Sequence, residues 1–238
     1  MLQLKNLALD ILAQAKTLGC TAAEAAISTE SGFSLTVRMG SVDTLEYNND
    51  QGFAVTVYRG QHVGSASSTS LSASAVKIAV EKASAIAQLA HEDPYAGLAD
   101  PQLMASRYPD LDLYHPWLLS PEQGIELARD CEASALAYDP LISNSEGASL
   151  STHQYDHVYA NSHGFFGAYP TSSHHLSCSV VAARAEDMQR DSDYTLARDP
   201  NDLLSSQWVE RALLNVACSG WARGVCLLEI APLSLRLK

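Results

Sequence analysis

Residues 48–60, with the sequence NNDQGFAVTVYRG, decide the fold of this chain. Phe53, Val55 and Val57 alternate with other residues, and this period of two predicts a strand with one buried face. The polar run before them ends at Gly52 and predicts a turn that separates this strand from an earlier one. The stretch therefore indicates a meander of antiparallel strands.

Helical patterns flank the meander. Apolar residues from Leu4 to Leu18 recur at helical spacing and stop at Gly19, a suitable left-handed cap. Ser72 is a suitable N-cap for a second, alanine-rich helix. Between these helices, alternation predicts further strands at 33–39, 42–47 and 62–67, with a turn at Gly40-Ser41.

The second half of the chain is predicted to repeat the first. Five prolines between residues 91 and 121 stand among apolar and aromatic residues, which predicts an ordered connection that packs across the domain. Ser120-Pro121-Glu122-Gln123 forms a capping box and predicts a third helix to about Tyr138. Segment 145–151 is similar to 31–36, and 160–167 is similar to 48–53.

These similarities predict an internal duplication and equivalent corners at 48–53 and 160–167. We expect an α+β fold of two helix-and-meander units, at about 1–90 and 120–200, joined by the connection 91–120. Each unit is expected to end in a closing helix.

Composition narrows the class of partner. The 238 residues carry a formal charge of −12 without an obvious basic patch, which argues against nucleic acid and anionic membranes as ligands. The five cysteines are odd in number and include no CxxC pair, a pattern typical of free thiols in a reducing compartment. Neither a signal peptide nor a run of about 20 apolar residues is evident, so we expect a cytoplasmic protein.

Three groups of histidines invite a metal-site interpretation, and each has a simpler alternative. His153 and His157 are four residues apart, but in a strand that spacing separates them by about 13 Å, too far for one ion. His91-Glu92-Asp93 begins like a zinc-protease helix, but Pro94 follows, which favours a loop. His174-His175 and Cys178 fit an exposed turn and a buried thiol better than a metal site. The sequence therefore assigns no catalytic, cofactor-binding or metal-ligating residue.

Several segments together resemble the TldD/PmbA family, long described as modulators of DNA gyrase. These segments are 51–58, 64–69, 92–101, 109–114 and 144–148, and the similarity covers about residues 4 to 212. They are closer to the PmbA (TldE) branch than to the TldD branch. The resemblance implies a bacterial assembly in which a TldD subunit pairs with a PmbA subunit and cleaves unfolded peptides, including bacteriocin precursors and antitoxins.

The resemblance also says where the chemistry lies. In this family the zinc motif HExxxH belongs to the C-terminal half of TldD, and PmbA acts as its partner. This chain contains neither the motif nor a C-terminal half, so it is expected to be a non-catalytic N-terminal fragment, with zinc in the TldD-like partner. Self-association is a further possibility, and exposed sheet edges could hold an extended peptide. The rival interpretation is an acidic, non-enzymatic interaction module, including modulation of DNA gyrase.

The last residues depart from the family pattern. A helix is predicted to begin at 206–212, whereas 213–238 has little helix or strand periodicity. A shifted reading frame could restore a family-like continuation, so we expect 213–238 to be a frameshifted tail. The nucleotide sequence of the gene tests this expectation.

Overall fold

A computed structural model describes residues 1–204, which form one six-stranded antiparallel sheet and three α-helices. The helices are α1 (Leu2–Thr17), α2 (Ala73–Leu89) and α3 (Pro121–Tyr138), and short 3-10 turns lie at Pro101–Leu103 and Pro200–Asp202. The strands are β1 (Ala22–Arg38), β2 (Ser41–Arg59), β3 (His62–Ser68), β4 (Ile142–Asn161), β5 (Phe166–Arg184) and β6 (Asp187–Ala197). The predicted α+β class is confirmed.

The strand order β3-β2-β1-β4-β5-β6 sets two similar units side by side. Helix α1 precedes β1 to β3, which α2 follows, and helix α3 precedes β4 to β6. The first strands of the two units pair antiparallel from Glu24 opposite Asn161 to Val37 opposite Ala148. The two helix-and-meander units that the repeat predicted are therefore present, and their strands form one continuous sheet.

All three helices pack against the same face of the sheet. Buried residues of β1 fall at every second position, from Ala23 to Ile27 and again from Phe33 to Val37. Because successive side chains of a strand point to opposite faces, both groups lie on one face. The first group packs with α1 and α2, and the second packs with α3. We call the opposite side of the sheet the helix-free face.

Local signals fixed the helix ends correctly. Gly19 has a φ of +77°. Its N–H donates to the Lys16 carbonyl, and the N–H of Cys20 donates to the Ala15 carbonyl. These two hydrogen bonds form a Schellman cap at the end of α1. The Ser72 hydroxyl accepts the Ala75 N–H at the start of α2. The capping box at the start of α3 is present in both directions, and α3 ends at Tyr138 as predicted.

Helix α3 also holds the turn between β1 and β2. The turn residues are Met39 (φ +49°) and Gly40 (φ +75°), one position earlier than predicted, and a pair of positive φ angles is typical of a tight hairpin. Their N–H groups donate to the two carboxylate oxygens of Glu132 at 2.8 and 2.7 Å. The buried Glu132 carboxylate therefore joins the second unit to the hairpin of the first.

The connection between α2 and α3 lies on the helix side of the sheet. Tyr114 donates its hydroxyl to Gln154 Oε1 at 2.7 Å, and the carbonyl of Leu113 accepts the N–H of Ser172 at 2.9 Å. These contacts lie over the middle of β4 and β5, between the region covered by α1 and α2 and the region covered by α3.

The predicted turn at 48–52 is wrong, because β2 runs without interruption from Ser41 to Arg59. Gly52 lies opposite Ser28 in the β1–β2 ladder and is not among the residues with positive φ. The polar residues that suggested a turn lie in an exposed part of β2. Among the described strands, only β1 pairs with this part. Polarity here reflects exposure of a strand and not a change of chain direction.

The predicted equivalence of corners fails for the same reason. Residues 160–167 do contain a turn, between the end of β4 at Asn161 and the start of β5 at Phe166. Its counterpart in strand order is the Met39–Gly40 turn, and 48–53 lies in mid-strand. The expectations for a closing helix after β6, for a helix at 206–212 and for the tail 213–238 fall outside the described residues.

Candidate functional site

The helix-free face of β4 carries a column of alternating imidazole and phenol rings. The His–Tyr column consists of His153, Tyr155, His157 and Tyr159. Ring centroids are 6.1 Å apart between the first two members and 6.0 Å apart between the next two, with interplanar angles of 28° and 15°. Tyr169 of β5 extends the group, 5.1 Å from His157. These separations are in the range of favourable ring contacts.

Glu24 of β1 lies at one end of the column and accepts two phenol hydroxyls. Tyr58 of β2 donates to Oε1 at 3.1 Å, and Tyr159 donates to Oε2 at 2.7 Å. Burial and the Glu24 carboxylate raise the pKa of Tyr58 to about 12. Burial and the hydrogen bond to Glu24 likewise raise the pKa of Tyr159. Both phenols therefore stay protonated and fix the carboxylate across three strands.

Glu30 plays a similar part farther along β1. Its Oε1 lies 2.9 Å from Nδ1 of His153, within ion-pair distance when the imidazole is protonated, although the contact lacks hydrogen-bond alignment. Burial, followed by the charge of Glu30, raises the pKa of Tyr155. Gly32 makes room for this arrangement, because a Cβ there would lie 2.1 Å from the Thr152 carbonyl oxygen and 2.9 Å from Nδ1 of His153.

The face is both acidic and aromatic. Glu46 and Asp50 of β2 lie on the same face as Glu24 and Glu30, since they occupy positions of matching parity opposite Ser34 and Glu30. Carboxylates and ring faces both attract cationic side chains. The arrangement is therefore suited to binding a positively charged, extended ligand.

The first predicted histidine pair lies in a strand, as the surrounding alternation indicated. His153 and His157 are in β4 with the ring of Tyr155 between their rings. Residues 1–204 bring no three histidine, cysteine, aspartate or glutamate side chains together in a way that could hold a metal ion. The donor set of this part of the chain does not fit zinc, and no catalytic step on it can be derived through zinc.

The other two histidine groups are also separate. His91, Glu92 and Asp93 lie in an exposed loop after α2, as predicted. His174 and His175 were predicted in an exposed turn, which is wrong, because both lie within β5. Their side chains point to opposite faces, and the thiol of Cys178 is buried on the helix side with Cys131.

His174 is a structural residue that sequence reasoning missed. It is fully buried, with Nδ1 2.9 Å from the hydroxyl of Thr152 and Nε2 2.9 Å from the carbonyl oxygen of His115. The ring of Trp117 meets it edge-on at 5.5 Å. His174 thereby joins the connection to the centre of the sheet. The alternation Leu176-Ser177-Cys178-Ser179-Val180, which follows directly, was the available signal for a strand.

Comparison with known proteins identifies the family of this chain. Residues 23–87 match "PmbA/TldA metallopeptidase domain 1", and residues 114–217 match "PmbA/TldA metallopeptidase central domain". Together the two matches span more than half of the chain. The chain belongs to the PmbA/TldD family.

The chain is also similar to individual proteins in sequence and to solved structures in fold. The chain is 43% identical over 187 residues to the metalloprotease PmbA of Escherichia coli O157:H7, which covers 79% of this chain and 42% of the relative. A proposed modulator of DNA gyrase from Bacteroides thetaiotaomicron superposes with a TM-score of 0.80 at 26% identity, over 90% of this chain and 49% of that one. TldE from Thermococcus kodakarensis superposes with a TM-score of 0.75 at 18% identity, over 92% and 48%. This PmbA/TldD-family chain thus spans less than half the length of these relatives.

Proposed function

We propose that this chain acts as the PmbA/TldE-type subunit of a two-subunit zinc peptidase. In this proposal a TldD-like partner carries the zinc motif, and the present chain supplies peptide-binding surface without a catalytic residue. The substrates are unfolded peptides, such as bacteriocin precursors and antitoxins, and the compartment is the cytoplasm. The 43% identity to a metalloprotease PmbA is the observation that carries the proposal.

The helix-free face supports a role in peptide binding. Tyr58 and Tyr159 hold Glu24 in place, so its negative charge is oriented before a ligand arrives. Tyr169 is 52% exposed and offers a ring surface next to His157. An extended peptide lying across this face would meet aromatic rings and carboxylates together. The resemblance to a family whose zinc motif lies in TldD is the reason for assigning the hydrolytic step to the partner.

None of the helices among residues 1–204 is long and apolar enough to cross a membrane.

Co-purification tests the subunit assignment. The 238-residue chain with an affinity tag is co-expressed with an untagged TldD-like subunit from the same genome, and the partner is expected to elute with it in stoichiometric amount. An unrelated acidic protein with the same tag is the control. Recovery of the partner at the control level would contradict the pairing.

A cleavage assay tests the division of chemistry. The chain alone, with zinc and an unfolded casein substrate, is expected to give no cleavage, and addition of the TldD-like subunit is expected to give cleavage that a chelator abolishes. Chelator-sensitive cleavage by the purified chain alone would show that the chain is itself a peptidase.

A non-enzymatic interaction module is the second candidate, and the acidic, aromatic helix-free face favours it. In that case the chain binds a protein partner without a TldD-like subunit. Modulation of DNA gyrase would belong to this class, but a charge of −12 argues against contact with DNA itself. Recovery of gyrase, and not of the TldD-like subunit, in the same co-purification would favour this candidate.

A further inference from the structure

Strand β2 is much longer than the strand that pairs with its outer side. β3 pairs with β2 only from Phe53 to Arg59, whereas β2 begins at Ser41. Residues 41–52 are therefore paired with β1 on one side only; we call this stretch the free edge. Among residues 1–204, no residue outside the β1–β2 ladder hydrogen-bonds to its backbone. Alternate N–H and C=O groups of 12 residues thus point away from the sheet.

The second unit shows how such an edge is covered. β6 pairs with β5 only from His174 to Arg184, so residues 166–173 are the equivalent overhang. There the extended connection lies alongside, and the Ser172 N–H donates to the Leu113 carbonyl at 2.9 Å. The Ser172 hydroxyl also accepts the His115 N–H at 2.8 Å. The same position in the first unit has no such segment among the described residues.

The side chains of the free edge are sorted by face. Leu45 and Tyr47 lie on the helix side, opposite Leu35 and Phe33, and are 38% and 71% exposed. Glu46 and Asp50 lie on the helix-free face and are also exposed. The stretch 41–52 contains three acidic residues, Asp43, Glu46 and Asp50. It contains no lysine, arginine or histidine.

We propose that the free edge of β2 binds an unfolded peptide that alternates apolar and basic residues, by adding it to the sheet as a seventh strand. Backbone hydrogen bonds supply affinity for any extended peptide. The apolar residues on one face of the edge and the acidic residues on the other supply a preference for particular peptide side chains. Apolar residues of the peptide would contact Leu45 and Tyr47, and lysine or arginine residues would face Glu46 and Asp50. A second copy of this chain fits poorly, because antiparallel self-pairing sets acidic residues near acidic residues.

This inference rests on the proposed function only in taking the occupant to be an unfolded peptide. Binding is measured on the 238-residue chain without a TldD-like subunit. Failure at the free edge and failure to pair with a TldD-like subunit are therefore separate results.

Hydrogen exchange with a defined peptide tests the proposal. The probe is a capped ten-residue peptide in which lysine alternates with valine or threonine. We expect it to slow exchange of alternate amides in 41–52 by about tenfold, with little change in 53–59, which β3 already pairs. If the amides of 41–52 that point away from β1 already exchange slowly in the chain without peptide, the edge is covered and the proposal is overturned.

Two matched controls separate strand addition from simple charge attraction. A peptide of the same sequence, N-methylated at alternate residues along its bonding edge, keeps its charge but cannot complete the ladder, and it is expected to give no protection. A peptide with glutamate in place of lysine is also expected to give none. Equal protection by the N-methylated peptide would overturn the proposal.

Charge reversal completes the test. The double variant Glu46→Lys and Asp50→Lys changes only exposed side chains, so its fold and thermal unfolding midpoint are expected to stay close to those of the parent. Its preference is expected to switch from the lysine peptide to the glutamate peptide. An unchanged preference in the folded variant would contradict the assignment of Glu46 and Asp50.

Discussion

At the residue scale, the helix-free face is built from pairs that lie far apart in the sequence. Glu24 meets Tyr159 and Glu30 meets His153 because β1 and β4 pair in one register. Period-two alternation predicted strands and made a shared metal at His153 and His157 improbable. No local pattern carries the register between strands more than 100 residues apart, so these carboxylate contacts could not be predicted from the sequence.

Tyr58 gives the face a measurable pH signature. Its pKa is about 12 in the folded protein, above the ordinary value of about 10 that it has when unfolded. The unfolded state therefore loses this proton first as pH rises, and the stability contribution of Tyr58 is complete below pH 10 and is lost between about pH 10 and 12. We expect Tyr58→Phe to make the urea midpoint fall less steeply across that window.

The control for Tyr58 is a phenol without a carboxylate partner. Tyr95 is 93% exposed in the connection, so Tyr95→Phe is expected to leave the alkaline loss of stability as in the parent. Urea titrations at pH 8 to 12 on the three proteins measure the difference. Parallel slopes for Tyr58→Phe and the parent would contradict the role given to Glu24.

At the element scale, patterns confined to a few consecutive residues predicted the helix ends correctly. Patterns whose meaning depends on neighbouring strands and helices did not predict the course of β2. The Gly19 cap and the Ser120 capping box are local hydrogen-bonding patterns, and both are present. The run before Gly52 was interpreted as a turn because polar residues cluster in turns. It is polar because β3 stops short and α3 covers β1, β4 and β5, leaving this part of β2 exposed. That placement is a tertiary property.

Two glycines of β2 and its hairpin test this correction. Gly40 has a φ of +75° with open space around it, so Gly40→Ala is expected to cost about 1 kcal/mol from backbone strain alone. Gly52 lies in the strand, and its nearest new contact would be 3.4 Å away, at the Ser68 carbonyl oxygen. We expect Gly52→Ala to change the free energy of unfolding by less than about 0.5 kcal/mol. A larger loss of stability for Gly52→Ala than for Gly40→Ala would support the turn at 48–52 and contradict the continuous strand.

Glu132 tests the contact between α3 and the first hairpin. Replacement by alanine leaves the Met39 and Gly40 N–H groups without their acceptor, and we expect a loss of about 2–3 kcal/mol. The control is Glu126→Ala on the same helix, which removes only an exposed ion pair with Arg129 and is expected to cost less than about 1 kcal/mol. Chemical denaturation measures both. Equal effects would show that the buried carboxylate is not an anchor.

At the scale of the whole molecule, the fold consists of two cores at opposite ends of shared strands. One core contains α1, α2 and the first part of β1, and the other contains α3 and the last part of β1. The repeat and the proline-rich connection were visible in the sequence, but the course of the connection was not. It lies between the two cores because His174, Ser172 and Gln154 hold it on the middle of the sheet.

His174 and His175 offer a matched test of this arrangement, since they are neighbours on opposite faces. His174→Phe leaves the Thr152 hydroxyl and the His115 carbonyl without their partner, so we expect a loss of about 2–3 kcal/mol and faster proteolysis within 99–118. His175→Phe changes a side chain whose ring contact is with Tyr194, and it is expected to leave cleavage of the connection unchanged. Limited proteolysis with mass spectrometry, with denaturation in parallel, measures both. If the two variants release the connection equally, then His174 does not hold it, and the two cores are joined by the strands alone.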